Sequence, residues 1–160
     1  MQRPVWLLSM DSEQFNAPPT TTAGLASYYR QYGKHSADTS IELVHFQHIE
    51  DIEAWLTSWS KAGPQQIRAA AEAGLRPLLG FSVYTWNAAE FLELAHQLRR
   101  LAPELTLLAG GPHVQQAEDY LGEEALDVIF LGEAEVTFLQ FLDSETPDDW
   151  QHINGLAYLK

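Results

Sequence analysis

Residues 5–10 (VWLLSM) form an almost unbroken apolar run, the pattern of a strand buried on both faces. Four further runs repeat it: residues 41–46 (IELVHF), 77–83 (PLLGFSV), 105–110 (LTLLAG) and 126–132 (LDVIFLG). Between the runs the apolar period lengthens. Phe91, Leu94, Ala95, Leu98 and Leu101 fall on one helical face, with Asn87 placed to cap that helix and Pro103 after it. Helices are also predicted over residues 23–32, with Thr21 or Thr22 as N-cap, over 49–62, and over 64–74, closed by Gly74. Residues 112–121 and 133–142 read as two more. Residues 143–149 (DSETPDD) read as an acidic surface loop, and 153–160 (INGLAYLK) as a short final strand.

Apolar strands alternating with helices predict an α/β domain, a doubly wound parallel sheet with helices on both faces. Five such units fit a Rossmann-like, flavodoxin-like sheet of five strands in the order 2-1-3-4-5. At 160 residues the chain reads as one domain over 1–150, with 151–160 leading out of it. Ligands of such sheets bind beyond the carboxyl ends of the strands, where the order switches direction.

Composition narrows the choice of ligand. The formal net charge of −13 argues against nucleic acid, whose phosphates need Lys and Arg. No apolar run approaches the length of a membrane span, and the N-terminus lacks the pattern of a signal peptide, so a cytoplasmic protein is expected. The chain has no cysteine, hence no thiolate metal site, cysteine nucleophile or iron–sulfur cluster on its own ligands. The Walker pattern and the dinucleotide fingerprint are both missing. A phosphoacceptor receiver domain needs a lysine at the fifth strand end, which here reads Gly132-Glu133.

The predicted strand ends hold the candidate chemistry. The first carries Asp11 and a long loop through Asn16. The third carries Ser82, Val83, Tyr84 and Trp86, the fourth Gly110, Gly111, Pro112 and His113, and the fifth Gly132 and Glu133. Two readings fit the adjacent glycines: a tight turn, or a wall stripped of side chains so that a ligand lies on the backbone. Tyr84 and Trp86 read either as edge packing or as ligand contacts, and His113 as surface or as ligand edge. The second reading calls for a large flat ligand with a tail entering the sheet. Ser82 would meet the tail at depth, and a helix N-terminus after the glycines would offer it N–H groups. His45 and His48 lack partners at metal-site spacing and read as structural.

Four stretches carry a resemblance: residues 80–87 (GFSVYTWN), 108–114 (LAGGPHV), 127–138 (DVIFLGEAEVTF) and 153–160 (INGLAYLK). In this order they resemble the cobalamin-binding domain that precedes the catalytic barrel of cobalamin-dependent radical S-adenosylmethionine enzymes. The resemblance implies that Ser82, Val83, Tyr84, Gly110, Gly111, Pro112, His113, Gly132 and Glu133 surround the cofactor, and that the loop from Asp11 to Asn16 faces the lower side of the corrin. It also implies that the final segment leads to a radical domain of the same parent chain, which would hold S-adenosylmethionine and an iron–sulfur cluster. By this resemblance the present chain is an excised N-terminal domain that binds cofactor without catalysing the reaction. One departure stands out. Related domains carry Asp-x-His-x-x-Gly after the first strand, and residues 11–24 contain no histidine, so no histidine is expected beneath the cobalt. Two other classes compete: an interaction module that has lost its cofactor, and a flavin domain, for which PPTTTAG is a faint phosphate-loop echo.

Overall fold

The computed structural model of the chain describes residues 1–12, 17–121 and 125–159. Among these, six strands form one sheet in the order β2-β1-β3-β4-β5-β6. They are β1 (Arg3–Met10), β2 (Thr39–Phe46), β3 (Leu78–Ser82), β4 (Thr106–Gly110), β5 (Val128–Phe130) and β6 (Leu156–Tyr158). The first five run parallel in the expected order. The sheet does not stop at five strands, because β6 adds to its edge antiparallel to β5, with Ile129 opposite Ala157. β6 lies inside the stretch expected to lead out of the domain.

Helices α1 (Thr20–Tyr32) and α6 (Glu135–Asp143) cover one face; α2 (Ile49–Trp59), α3 (Gly63–Glu72), α4 (Ala88–Leu101) and the single-turn α5 (Glu118–Leu121) cover the other. The two-residue period of β1 explains why all eight of its residues are buried. Val5 and Leu7 enter the core beneath Tyr29, Phe138 and Phe141, while Trp6, Leu8 and Met10 enter the core with Trp59, Phe91 and Leu98.

A buried arginine, Arg3, and a partly buried one, Arg76, bind the C-terminal end of α6. Arg3 donates to the Leu142 carbonyl at 2.7 Å and to the hydroxyls of Tyr29 and Thr39, both at 3.0 Å. Arg76 donates to the Phe141 carbonyl at 2.7 Å and stacks over the Phe141 ring at 4.6 Å. Cations here complement the negative end of the helix. Burial, with Arg3 nearby, lowers the Arg76 pKa to about 10, so the guanidinium stays charged at neutral pH. The acidic loop is less free than its composition implies. Asp143 accepts from the Tyr29 hydroxyl and the Lys34 N–H, and Asp149 caps a short 3-10 helix at Thr146.

Three local expectations need correction. Helix α1 starts at Thr20, and Pro19 occupies the cap position with no side-chain bond. The two threonine hydroxyls are otherwise engaged, Thr21 with the Tyr84 hydroxyl at 3.0 Å and Thr22 with the Pro19 carbonyl at 3.3 Å. Asn87 does stand at the N-cap of α4, but its side chain turns away from that helix. The helix expected over 112–121 is reduced to α5, because the backbone after the glycines is held in a turn. His113 N–H donates to the Val83 carbonyl at 3.2 Å, and Val114 N–H to the Gly111 carbonyl at 3.0 Å. No helix N-terminus therefore follows the glycines directly.

Candidate functional site

The carboxyl ends of β1, β3, β4 and β5 border a cleft of about 620 Å³ on the α1/α6 side of the sheet. Its position follows from side-chain size. Along β3 and β4 the residues facing this side are Leu78, Gly80 and Ser82, and Leu108 and Gly110. The side chains stop, which leaves the space open. Leu7, Leu108 and Phe130 line the floor, Leu25 of α1 stands on one side, and residues 131–135 stand on the other.

The adjacent glycines divide the work. A Cβ on Gly110 would stand 3.2 Å from Phe130 Cβ, a tight contact, on the side of β4 that borders the cleft. A Cβ on Gly111 would stand 2.6 Å from the Val83 carbonyl oxygen and 2.8 Å from its nitrogen, at φ +123°. Gly111 is thus required by the backbone, as the tight-turn reading expects, whereas Gly110 borders the open space of the cleft.

Ser82 carries the strongest chemical signal. Its Oγ is buried and has no hydrogen-bond partner among the described residues. Buried hydroxyls are normally paired, and an unpaired one costs about 1–3 kcal/mol. Of the atoms in that condition, it alone belongs to a residue that lines the cleft. A hydrogen-bonding group of a ligand would satisfy it.

Tyr84, Gly110, Gly111, Pro112, Gly132 and Glu133 join Ser82 on the cleft wall. Val83 does not: strand alternation sends its side chain into the core with Phe81 and Phe91. His113 is exposed and outside the lining, edge-on to the Tyr120 ring at 6.5 Å. Asp11 lies in an adjoining hollow of about 240 Å³, lined also by Ser9, Pro19 and His45. There its carboxylate accepts from the Ala17 N–H at 2.7 Å and stands 3.5 Å from His45 Nε2. Ser9 Oγ lies 2.8 Å from His45 Nδ1. Ser82, Tyr84 and Thr21 line both spaces, and Thr21 and Tyr84 are hydrogen-bonded to each other. Asn16 lies outside the described residues.

Sequence reasoning left out Gly80, Leu25 and Thr21, and misjudged Asn87. Gly80 was detectable, since an isolated glycine inside an apolar strand marks a close approach. Asn87 is fully buried; its Oδ1 accepts from the Tyr84 N–H at 2.8 Å and its Nδ2 donates to the Ser82 carbonyl at 3.1 Å. It shapes the loop that presents both residues. Asn87→Ala strands two buried backbone groups and is expected to destabilise the domain by about 2–4 kcal/mol, read by urea denaturation.

Tyr84 stacks on Trp86 with ring centroids 4.6 Å apart and planes 20° apart. Trp86 is fixed by donating to the Met10 carbonyl at 3.0 Å and is about half exposed. The pair forms a flat aromatic surface at the strand ends.

Residues 32–142, more than two thirds of the chain, match the B12 binding domain family. The chain belongs to that family. This B12 binding domain is 30% identical over 84 residues to the cobalamin-dependent radical SAM methyltransferase TokK of Streptomyces tokunonensis. The match covers 50% of the present chain and 12% of TokK. Two structures of the cobalamin-dependent S-adenosylmethionine radical enzyme OxsB share the fold. One, with aqua-cobalamin and S-adenosylmethionine bound, has a TM-score of 0.63 at 19% identity; the other, with aqua-cobalamin bound, has 0.64 at 20%. Each covers 99% of this chain and 21% of OxsB. The B12 binding domain therefore spans a small part of these relatives.

Proposed function

We propose that this domain binds cobalamin with its nucleotide tail extended into the cleft, and that it does so as part of a larger cobalamin-dependent radical SAM enzyme of the methyltransferase kind. The buried, unpaired Ser82 hydroxyl beside the glycine-lined floor carries the reading. That arrangement is costly in an empty protein and is relieved by a flat ligand with a hydrogen-bonding group. When bound, cobalamin supplies cobalt-centred alkyl transfer. The chain's part is to hold the tail on Gly80 and Gly110, to meet it with Ser82, and to present the Tyr84–Trp86 surface and the Asp11 hollow near the corrin. S-adenosylmethionine and an iron–sulfur cluster belong, on this reading, to a further domain of the parent, since the chain has no cysteine to hold a cluster.

The lining also bears on flavin. Among the described residues the cleft wall has no Lys or Arg, and Glu133 and Glu135 stand on it. The dianionic phosphate of flavin mononucleotide would meet carboxylates and no cation, which disfavours that ligand.

The test is to mix the purified chain with hydroxocobalamin, desalt it, and record visible absorbance beside a Ser82→Ala variant. The wild type is expected to keep the corrinoid, and Ser82→Ala to bind it about threefold to tenfold more weakly, the worth of one hydrogen bond. The ligand-free variant is expected to be at least as stable as wild type, since it loses an unpaired polar group. Absence of any retained corrinoid at high ligand concentration would favour the module that has lost its cofactor.

A further inference from the structure

Asp11 stands where two hollows meet. It lines the hollow of about 240 Å³ and a second, of about 300 Å³, that reaches Gln47, His48 and Ile49. Its side chain is 14% exposed, and it is held in place: Oδ2 accepts from the Ala17 N–H at 2.7 Å, and the Asp11 N–H donates to the Phe46 carbonyl at 3.0 Å. Its other carboxylate oxygen has no hydrogen-bond partner among the described residues. Among those residues no Lys or Arg lines either hollow or the cleft, while Glu133 and Glu135 stand exposed on the cleft wall. His45 and His48 carry no permanent charge. A carboxylate partly withdrawn from water with no fixed cation beside it is costly. The sign that a ligand comes here is Ser82, which is 6% exposed, keeps an unpaired Oγ, and lines both the cleft and the Asp11 hollow.

We infer that Asp11 makes this site select corrinoids by charge, favouring a cobalt centre that carries a net positive charge over a neutral one. This rests on the reading above that cobalamin binds here. Aqua-cobalamin is a monocation. Cyanocobalamin has the same corrin, tail and lower base and is neutral, because cyanide replaces the bound water. The tail phosphate is common to both, so its repulsion by the carboxylates cancels in the comparison. A unit charge about 10 Å from a carboxylate gains about a factor of two in binding in water, and more where the pair is partly desolvated. Salt weakens the gain, since the screening length at 0.1 M is also about 10 Å. Glu133 and Glu135 are fully in solvent and add less than the fixed, mostly buried Asp11.

The experiment titrates the chain with aqua-cobalamin and with cyanocobalamin at neutral pH, followed by visible absorbance, in low and in high sodium chloride. Wild type is compared with Asp11→Asn, whose amide oxygen can still accept from the Ala17 N–H, and thermal melting checks that the variant folds. Wild type in low salt is expected to bind aqua-cobalamin about threefold to tenfold more tightly than cyanocobalamin. High salt and Asp11→Asn are each expected to shrink that ratio, and the salt series on wild type tests the charge preference without any variant. Equal affinity for the two corrinoids overturns the inference. So does a preference that neither salt nor Asp11→Asn changes, which would report the size or lability of the axial ligand. A preference weakened by salt but untouched in a folded Asp11→Asn moves the selection to other carboxylates and overturns the role of Asp11. Failure of both corrinoids to bind overturns the underlying reading, and the inference with it.

Discussion

Gly110→Leu is expected to leave the domain folded and to weaken cobalamin binding at least 100-fold, about 3 kcal/mol or more. The new side chain leaves β4 on the cleft side, where it takes the space above Phe130 that the tail needs. The backbone conformation allows it, and Phe130, whose Cβ would stand 3.2 Å away, must give by a few tenths of an ångström. Replacing a strand glycine also recovers a little conformational entropy. The melting temperature is therefore expected to stay within about 3–4 °C of wild type, roughly 1 kcal/mol for a domain of this size. Titration with hydroxocobalamin beside a thermal melt checks both halves. Wild-type affinity in the variant would mean that the tail does not cross Gly110.

Gly111→Ala is expected to do the opposite and damage the fold first. A residue at φ +123° is in a region that side chains rarely adopt, at about 1–3 kcal/mol. Its Cβ would also press on the main chain of Val83, which cannot rotate away as a side chain could. A loss of about 3 kcal/mol or more lowers the melting temperature by about 6–12 °C in a domain of this size. A drop of less than about 2 °C would show that the turn around Val83 has room to relax. The same strain rules out a bulky Gly111 substitution as a probe of the ligand, because fold and binding would fail together.

The contrast between these neighbours shows what the sequence reveals and what it hides. The five parallel strands were legible from their apolar runs, and in β1 residues of both faces are apolar from Pro4 to Leu8. A cleft at the strand ends was to be expected, since α/β sheets place ligands there. The separate roles of Gly110 and Gly111 were not legible. They depend on which strand face Gly110 occupies and on how close Val83 approaches, and both are tertiary facts. Val83 could have been set apart by alternation alone, since its neighbours Ser82 and Tyr84 line the cleft. The loop at 112–117 looked helical because Val114, Ala117 and Tyr120 keep a helical period, yet the N–H groups of His113 and Val114 are bonded to the carbonyls of Val83 and Gly111. The pairing of β6 was hidden for another reason: three half-buried residues carry little periodic signal, and the pairing depends on the turn at Gly155.

The adjoining hollow adds a detail that spacing could not supply. His45 and Asp11 are far apart in sequence, and the register of Ser9 opposite His45 brings them together. A histidine thus stands near the first strand end although the loop after β1 has none.

The most direct measurement is a crystal structure of the chain grown with hydroxocobalamin, with diffraction recorded at the cobalt absorption edge. One anomalous peak is expected beyond the carboxyl ends of β1 and β3, with continuous density for the tail over Gly80 and Gly110 and its base within hydrogen-bonding distance of Ser82 Oγ. Cobalt bound elsewhere, or tail density folded outside an empty cleft, would contradict the assignment of this cleft to the cofactor.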